Sequence, residues 1–189
     1  MIFGITGGTG CGKTTALEAL HSLGGVCLDC DAIYHDLLKT DKALLAAIEG
    51  RFPGVVKADA LDRKALGSRV FADPAALADL NTITHAAVKQ KVLELLPKDG
   101  TPAAIDAIGL FESGLDRLCG VTVGILAPKA DRLRRIMARD GIPEGYAQMR
   151  LDAQPEDGYF REKCDYILEN TGTEAEFRRK SLDFFQKFL

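Results

Sequence analysis

Eight consecutive residues near the start of the chain, Gly7-Gly8-Thr9-Gly10-Cys11-Gly12-Lys13-Thr14, satisfy the pattern G-x-x-x-x-G-K-[ST]. Glycines at this spacing let backbone N–H groups converge on phosphate oxygens without Cβ clashes, and a helix starting at the lysine adds its positive end. Lys13 brings a flexible charge to the β and γ phosphates, while the Thr14 hydroxyl is placed to ligate a magnesium ion bridging them. The expected ATP-binding residues are Gly8, Thr9, Gly10, Cys11, Gly12, Lys13, Thr14 and Thr15, with Mg2+ on Thr14 and ATP as co-substrate. Cys11 reads as a small residue tolerated in the loop, where oxidation would block nucleotide.

Charges farther along supply what phosphoryl transfer needs around such a loop. Arg135 and Arg139 stand four apart, hence on one helical face, with Arg132 and Arg134 close by and Arg150 on the next helical segment. A lid carrying guanidinium groups can close over a nucleotide, neutralise charge on the transferring phosphoryl and keep water out. Asp29 and Asp31 close the second apolar strand, at the sheet edge where ligands of open α/β sheets bind. A carboxylate there can orient an acceptor hydroxyl and take its proton. The other role open to Asp31 is the N-cap of a helix starting at Ala32. The candidate catalytic groups are therefore Lys13, one of Asp29 and Asp31, and the pair Arg135 and Arg139.

Other phosphate-loop chemistries are disfavoured. Guanine recognition would want N-K-x-D, and neither Asn81-Thr82-Ile83-Thr84 nor Asn170-Thr171-Gly172-Thr173 supplies it. A motor ATPase would want a strand ending in Asp-Glu, whereas Ala104-Ile105-Asp106-Ala107 lacks the glutamate that polarises water. Transfer to a bound acceptor is favoured over hydrolysis.

The elements that must hold these groups are legible as alternating short apolar runs and helical patterns. Strands are expected at Ile2 to Thr6, Gly25 to Leu28, Pro102 to Ile105, Val121 to Leu126 and Tyr166 to Leu168, and a first helix at Lys13 to Leu23. Such alternation predicts an α/β fold, a doubly wound parallel sheet of about five strands. Ala32 to Leu96 exceeds one crossover helix and shows helical periodicity at Ala43 to Ile48, Arg63 to Val70 and Pro74 to Leu96, with no convincing strand. Ala130 to Asp140 and Pro143 to Gln154 form a polar helical pair broken at Gly141-Ile142-Pro143, the expected lid, and Glu174 to Leu189 is a closing amphipathic helix.

Composition narrows the setting. A formal net charge of -3 offers no general attraction to nucleic acid or anionic membrane, so phosphate-binding charge must be concentrated locally. No apolar run approaches the roughly 18 residues of a spanning helix, and the opening MIFGITGG lacks the basic start of a signal peptide; a cytoplasmic location is expected. Five cysteines without disulfide-framework spacing suit a reducing compartment. Cys27 and Cys30 fall in the expected second strand and read as core thiols rather than a zinc pair.

Taken in order, the phosphate loop with its preceding Gly4-Ile5-Thr6, then Leu28-Asp29-Cys30-Asp31, Leu61-Asp62-Arg63, Arg69-Val70-Phe71-Ala72-Asp73-Pro74, Gly109-Leu110-Phe111-Glu112, Arg135-Ile136-Met137-Ala138-Arg139-Asp140, Asp152-Ala153-Gln154 and Asp165-Tyr166-Ile167-Leu168-Glu169-Asn170 resemble the dephospho-CoA kinases over nearly the whole chain. The resemblance implies ATP-dependent phosphorylation of the ribose 3'-hydroxyl of dephospho-CoA, the last step of coenzyme A synthesis. It implies a nucleotide core (1–31, 97–128 and 156–189), a helical acceptor-binding insert (32–96) and a lid (129–155). It puts the proposed base on Asp31, the lid arginines on Arg135 and Arg139, and acceptor-binding residues on Asp31, Arg63, His85 and Glu112. The expected partners are ATP and dephospho-CoA, with no nucleic acid and no membrane, in a monomer or weak homo-oligomer. The family usually has Leu-His-Pro where this chain has Thr84-His85-Ala86, Pro-Leu-Leu where it has Ile108-Gly109-Leu110, and often an arginine where Gly67 stands. These departures touch the acceptor side and leave the nucleotide side whole. From the residues alone, a different small-molecule acceptor and a non-catalytic ATP-binding module stay open.

Overall fold

The computed structural model describes residues 1–189, which fall into two compact units, Met1–Leu28 with Pro97–Leu189, and Asp29–Leu96. In chain order the elements are β1 (Ile2–Thr6), α1 (Lys13–Ser22), β2 (Val26–Asp29), α2 (Cys30–Thr40), α3 (Lys42–Arg51), β3 (Val56–Lys57), β4 (Ala60–Leu61), α4 (Arg63–Val70), α5 (Pro74–Leu95), β5 (Ala103–Asp106), β6 (Val121–Leu126), α6 (Lys129–Asp140), α7 (Glu144–Asp152), α8 (Asp157–Lys163), β7 (Tyr166–Glu169) and α9 (Glu174–Phe185). A short 3-10 turn at Asp116–Leu118 precedes β6.

The main sheet has the order β2-β5-β1-β6-β7, and β1 runs parallel to both β5 and β6, as β6 does to β7. Side chains of a strand alternate between faces. Phe3 and Ile5 of β1 and Val123 and Ile125 of β6 are fully buried in one cluster with Ala16 and Leu20 of α1 and Phe177 and Phe185 of α9. On the other face Gly4 lies against Leu110 and Cys119, and Gly124 against Ile167, Cys164 and Phe160 of α8. Both faces are covered, which is why the strands read as continuous apolar runs. Phe3 also meets the Phe185 ring edge-on at a centroid distance of 5.0 Å, tying the last helix to the first strand. The order reverses around β1, so the loop leaving its carboxyl end lies at the topological switch point.

The unit Asp29–Leu96 is helical, and its helices start on one repeated device. Asp29, Asp41, Asp62 and Asp73 are the N-caps of α2, α3, α4 and α5, each carboxylate accepting a first-turn N–H. Each such cap contributes about 1 kcal/mol. The structure differs from the sequence-based expectation at the start of α2, at a hairpin in this unit and at α8 in the other. The helix after β2 starts at Cys30 rather than Ala32, because Asp29 caps it; Cys30 is therefore helical, outside the strand to which it was assigned. The stretch does contain strands: β3 and β4 form an antiparallel hairpin of two residues each, turned by Ala58 (φ 49°) and Asp59 (φ 61°). That left-handed turn is normally flagged by Asn-Gly or Asp-Gly, and here no glycine announces it. In the other unit, α8 was not anticipated; Gly158 and its shortness of seven residues hide it.

Candidate active site

The loop between β1 and α1 is shaped by groups that arrive from far along the chain. Gly12 has φ 105°, and a Cβ there would stand 2.3 Å from the Asn170 side-chain nitrogen, so only glycine fits. Asn170, just after β7 and 4% exposed, donates from Nδ2 to the Cys11 carbonyl at 2.9 Å. Lys13 curls over the loop, its Nζ donating to the Gly7 carbonyl at 3.1 Å. Thr14 is exposed and Thr15 half-buried in the first turn of α1. Cys11 is buried against this backbone, and burial pushes its thiol up despite the opposing pull of Lys13 and Arg132. The thiolate needed for oxidation is thereby disfavoured.

On its outer side the loop is gripped from α6 and the end of α7. Arg132 donates through Nε to the Thr9 carbonyl at 3.0 Å and through Nη2 to Gln154 Oε1 at 2.8 Å. The same Gln154 accepts from the Thr9 N–H at 2.9 Å and donates to Thr9 Oγ1 at 2.7 Å. Arg135 donates to the Gly10 carbonyl at 3.1 Å. Arg132, Gln154 and Asn170 were not singled out as site residues from sequence. Their signal was weak: Arg132 is one of several arginines, and the other two are short-range neighbours of nothing in the loop.

The expected residues divide. Lys13, Thr14, Arg135 and the loop backbone come together. Arg139 does not join them; it forms two hydrogen bonds to Asp140, which also receives Arg150, linking α6 to α7. Hydrogen bonds from Arg139, and then from Arg150, hold the Asp140 carboxyl down at about 2. Glu112, beyond β5, is exposed and accepts from the Tyr159 hydroxyl, whose pKa burial and this carboxylate both raise.

Within Asp29–Leu96, Asp31 is exposed in the first turn of α2 and Asp29 takes the cap, which leaves the Asp31 carboxylate available for chemistry. Arg63, the first residue of α4, is exposed with its guanidinium 3.4 Å from His35 Nδ1, and its charge also reaches Tyr34. His85 is half-buried on α5.

A parallel sheet with a phosphate loop at its switch point and an arginine-bearing helix folded onto that loop defines a P-loop kinase. The shikimate kinase of Acinetobacter baumannii shares this architecture at a TM-score of 0.52 and 18% identity, covering 98% of this chain and 93% of that one. The chain belongs to the dephospho-CoA kinase family, whose model matches residues 1–176. It is similar to the dephospho-CoA kinase of Anaeromyxobacter dehalogenans, at 38% identity over 90% of this chain and 84% of the relative. It is 34% identical to that of Geobacter sulfurreducens over 98% of both chains. Among solved structures it resembles the Campylobacter jejuni dephospho-CoA kinase at a TM-score of 0.71 and 32% identity, covering 99% of this chain and 96% of that chain.

Proposed function

We propose that the chain transfers the γ-phosphoryl of ATP to the ribose 3'-hydroxyl of dephospho-CoA, giving CoA and ADP. The observation that carries this reading is the phosphate loop, pinned at Thr9, Gly10 and Cys11 by side chains of its own unit, in a chain that belongs to the dephospho-CoA kinase family.

Phosphoryl transfer asks the protein for positioning and charge rather than covalent chemistry. Lys13 exchanges the Gly7 carbonyl for the β and γ phosphates, and the loop amides and the amino end of α1 hold them. Arg135, already on the loop through Gly10, stabilises charge on the transferring phosphoryl. Arg139 acts once it leaves Asp140, so the segment 129–155 works as the lid. Asp31 orients the acceptor hydroxyl and takes its proton as the new oxygen–phosphorus bond forms. Arg63, His85 and Glu112 bind the acceptor's anionic and polar groups, with 32–96 as the acceptor-binding part.

The donor set suits magnesium. No cluster of three or more His, Cys, Asp or Glu offers a complete protein cage, while the exposed Thr14 hydroxyl makes no protein hydrogen bond, and Asp106 lies beside Ile5 at the carboxyl end of β5. A hydroxyl, a carboxylate and substrate phosphates are the usual ligands of Mg2+. Thr14 and Asp106 would hold the ion, which when bound would supply positive charge to the phosphates.

The test is ADP release from ATP with and without dephospho-CoA. Acceptor-dependent ADP accompanied by CoA supports the reading. ADP release that responds instead to a nucleoside or other metabolite moves the acceptor, and tight ATP binding with no acceptor-dependent ADP makes the chain a nucleotide-binding module.

A further inference from the structure

Arg132 is 7% exposed, yet its hydrogen bonds go to neutral oxygens, the Thr9 carbonyl and the Gln154 carboxamide. Of the carboxylates near it, Asp131 pairs with Arg134 and Asp152 with Lys129, while Glu156 and Asp157 line the same cleft without a hydrogen bond to Arg132. Burying a guanidinium beside neutral acceptors alone carries a desolvation penalty that the fold does not recover from those contacts. The guanidinium also lies against the phosphate loop, since a Cβ on Gly8 would stand 2.0 Å from Arg132 Nη2; the helix backbone comes close as well, a Cβ on Gly10 standing 2.9 Å from the Arg132 carbonyl oxygen. A side chain at position 8 would displace that guanidinium from the loop. Lys13 approaches the same loop through Gly7, so two cations flank one stretch of backbone. Beside Arg132 a cleft of about 290 Å³ opens, its charged and polar walls formed by Lys129, Arg132, Asp152, Gln154, Glu156 and Asp157.

We propose that Arg132 is a further ATP-binding residue whose counter-ion is a nucleotide phosphate, and that Gln154 is the positioning residue that holds its guanidinium against the loop. Gln154 suits that role because its one carboxamide engages Arg132, the Thr9 N–H and the Thr9 hydroxyl together, locking arginine and loop into a single arrangement. An arginine with no carboxylate hydrogen-bonded to it keeps its donors available for an incoming anion, which is how binding sites trade stability for function. The inference rests on the reading that the loop takes ATP and is independent of the acceptor.

The experiment measures binding of Mg-ATP by calorimetry, without dephospho-CoA, together with melting temperature in the absence of nucleotide. Arg132→Met should weaken ATP about tenfold or more while leaving the melting temperature unchanged or raised, since a charge lacking its counter-ion is removed. Arg132→Lys, which keeps the charge, should stay within about threefold of the parent chain. Gln154→Glu is the sharpest variant: it hands Arg132 a protein counter-ion, so the melting temperature should rise and ATP affinity fall by about tenfold. If Gln154→Glu binds ATP as the parent does, or if Arg132→Met lowers the melting temperature and leaves ATP affinity intact, Arg132 is structural and the proposal is overturned. Should Arg132→Met fail to fold, Gln154→Glu decides alone. A parent chain that binds ATP and releases no acceptor-dependent ADP would sink the dephospho-CoA reading and leave this one standing.

Discussion

The phosphate loop and the exposed surface of Asp29–Leu96 are built on opposite plans. Around the loop, Arg132, Arg135, Gln154 and Asn170 each spend hydrogen bonds on Thr9, Gly10 or Cys11, and the glycines leave no room for a Cβ where those side chains approach. On the helical unit two residues of interest are held loosely: Asp31 is exposed, and the exposed Arg63 guanidinium lies 3.4 Å from His35. A site for a phosphate chain of constant shape gains from being assembled in advance, because its charge stabilisation then needs no reorganisation. Side chains proposed to meet a larger, flexible acceptor, as Asp31 and Arg63 are, gain from being held loosely until it arrives.

The contrast is sharpest at Asp31 and Asp29, carboxylates two positions apart, the first proposed as the base and the second capping α2. Asp31→Asn should lower turnover about 10²–10⁴-fold while ATP still binds and the melting temperature holds, as for loss of a general base. Full activity in that variant would remove Asp31 from the mechanism. Next, Lys13→Met should reduce turnover about 10²–10³-fold and weaken ATP in a titration without acceptor; unchanged ATP affinity would contradict the role assigned to the loop. Asn170→Ala tests preorganisation itself. It leaves the Cys11 carbonyl short of its buried donor, so denaturant unfolding should show a loss of about 1–3 kcal/mol, with ATP affinity falling alongside. Asp29→Ala should cost about 1 kcal/mol of stability through its lost cap on α2, with far less effect on turnover than Asp31→Asn; the reverse ranking would exchange the two roles.

The smallest effect concerns the seam between α6 and α7. Asp140 is held at about 2, below its ordinary 3.8, by hydrogen bonds from Arg139 and Arg150. A carboxylate with a depressed folded pKa contributes stability above its unfolded value and loses it as pH falls through the folded one. The contribution is therefore present at neutral pH and disappears between about 3.8 and 2. Melting temperatures of the parent and Asp140→Asn should differ slightly at neutral pH and converge near pH 2; a difference that persists there would mean that the seam does not depend on this charge.

Much of this was legible in the sequence because its causes are local. The glycine spacing and Lys13-Thr14 depend on the loop's own backbone, and the strands β1, β5, β6 and β7 announce themselves as apolar runs bounded by turn residues. The start of α2 was missed because Asp29 and Asp31 are both good caps, and only geometry chooses between them. The hairpin at Val56 to Leu61 escaped because its turn uses Ala58 and Asp59 in place of glycine. The grip on the loop escaped for a different reason: Arg132 and Gln154 reach Thr9 across separations of 123 and 145 residues, a distance over which no periodicity carries information. Even the arginine pair Arg135 and Arg139, correctly read as sharing a helix, splits between the loop and Asp140.

The tie from Asn170 to Cys11 has a consequence for synthesis. The two partners are separated by 159 positions, so a ribosome translates the whole phosphate-loop sequence long before the residue that fastens it. A nascent chain carrying β1 and α1 alone holds the words of a nucleotide site without its grammar. That last tie can close only when the segment after β7 clears the exit tunnel and folds back onto the earliest part of the chain.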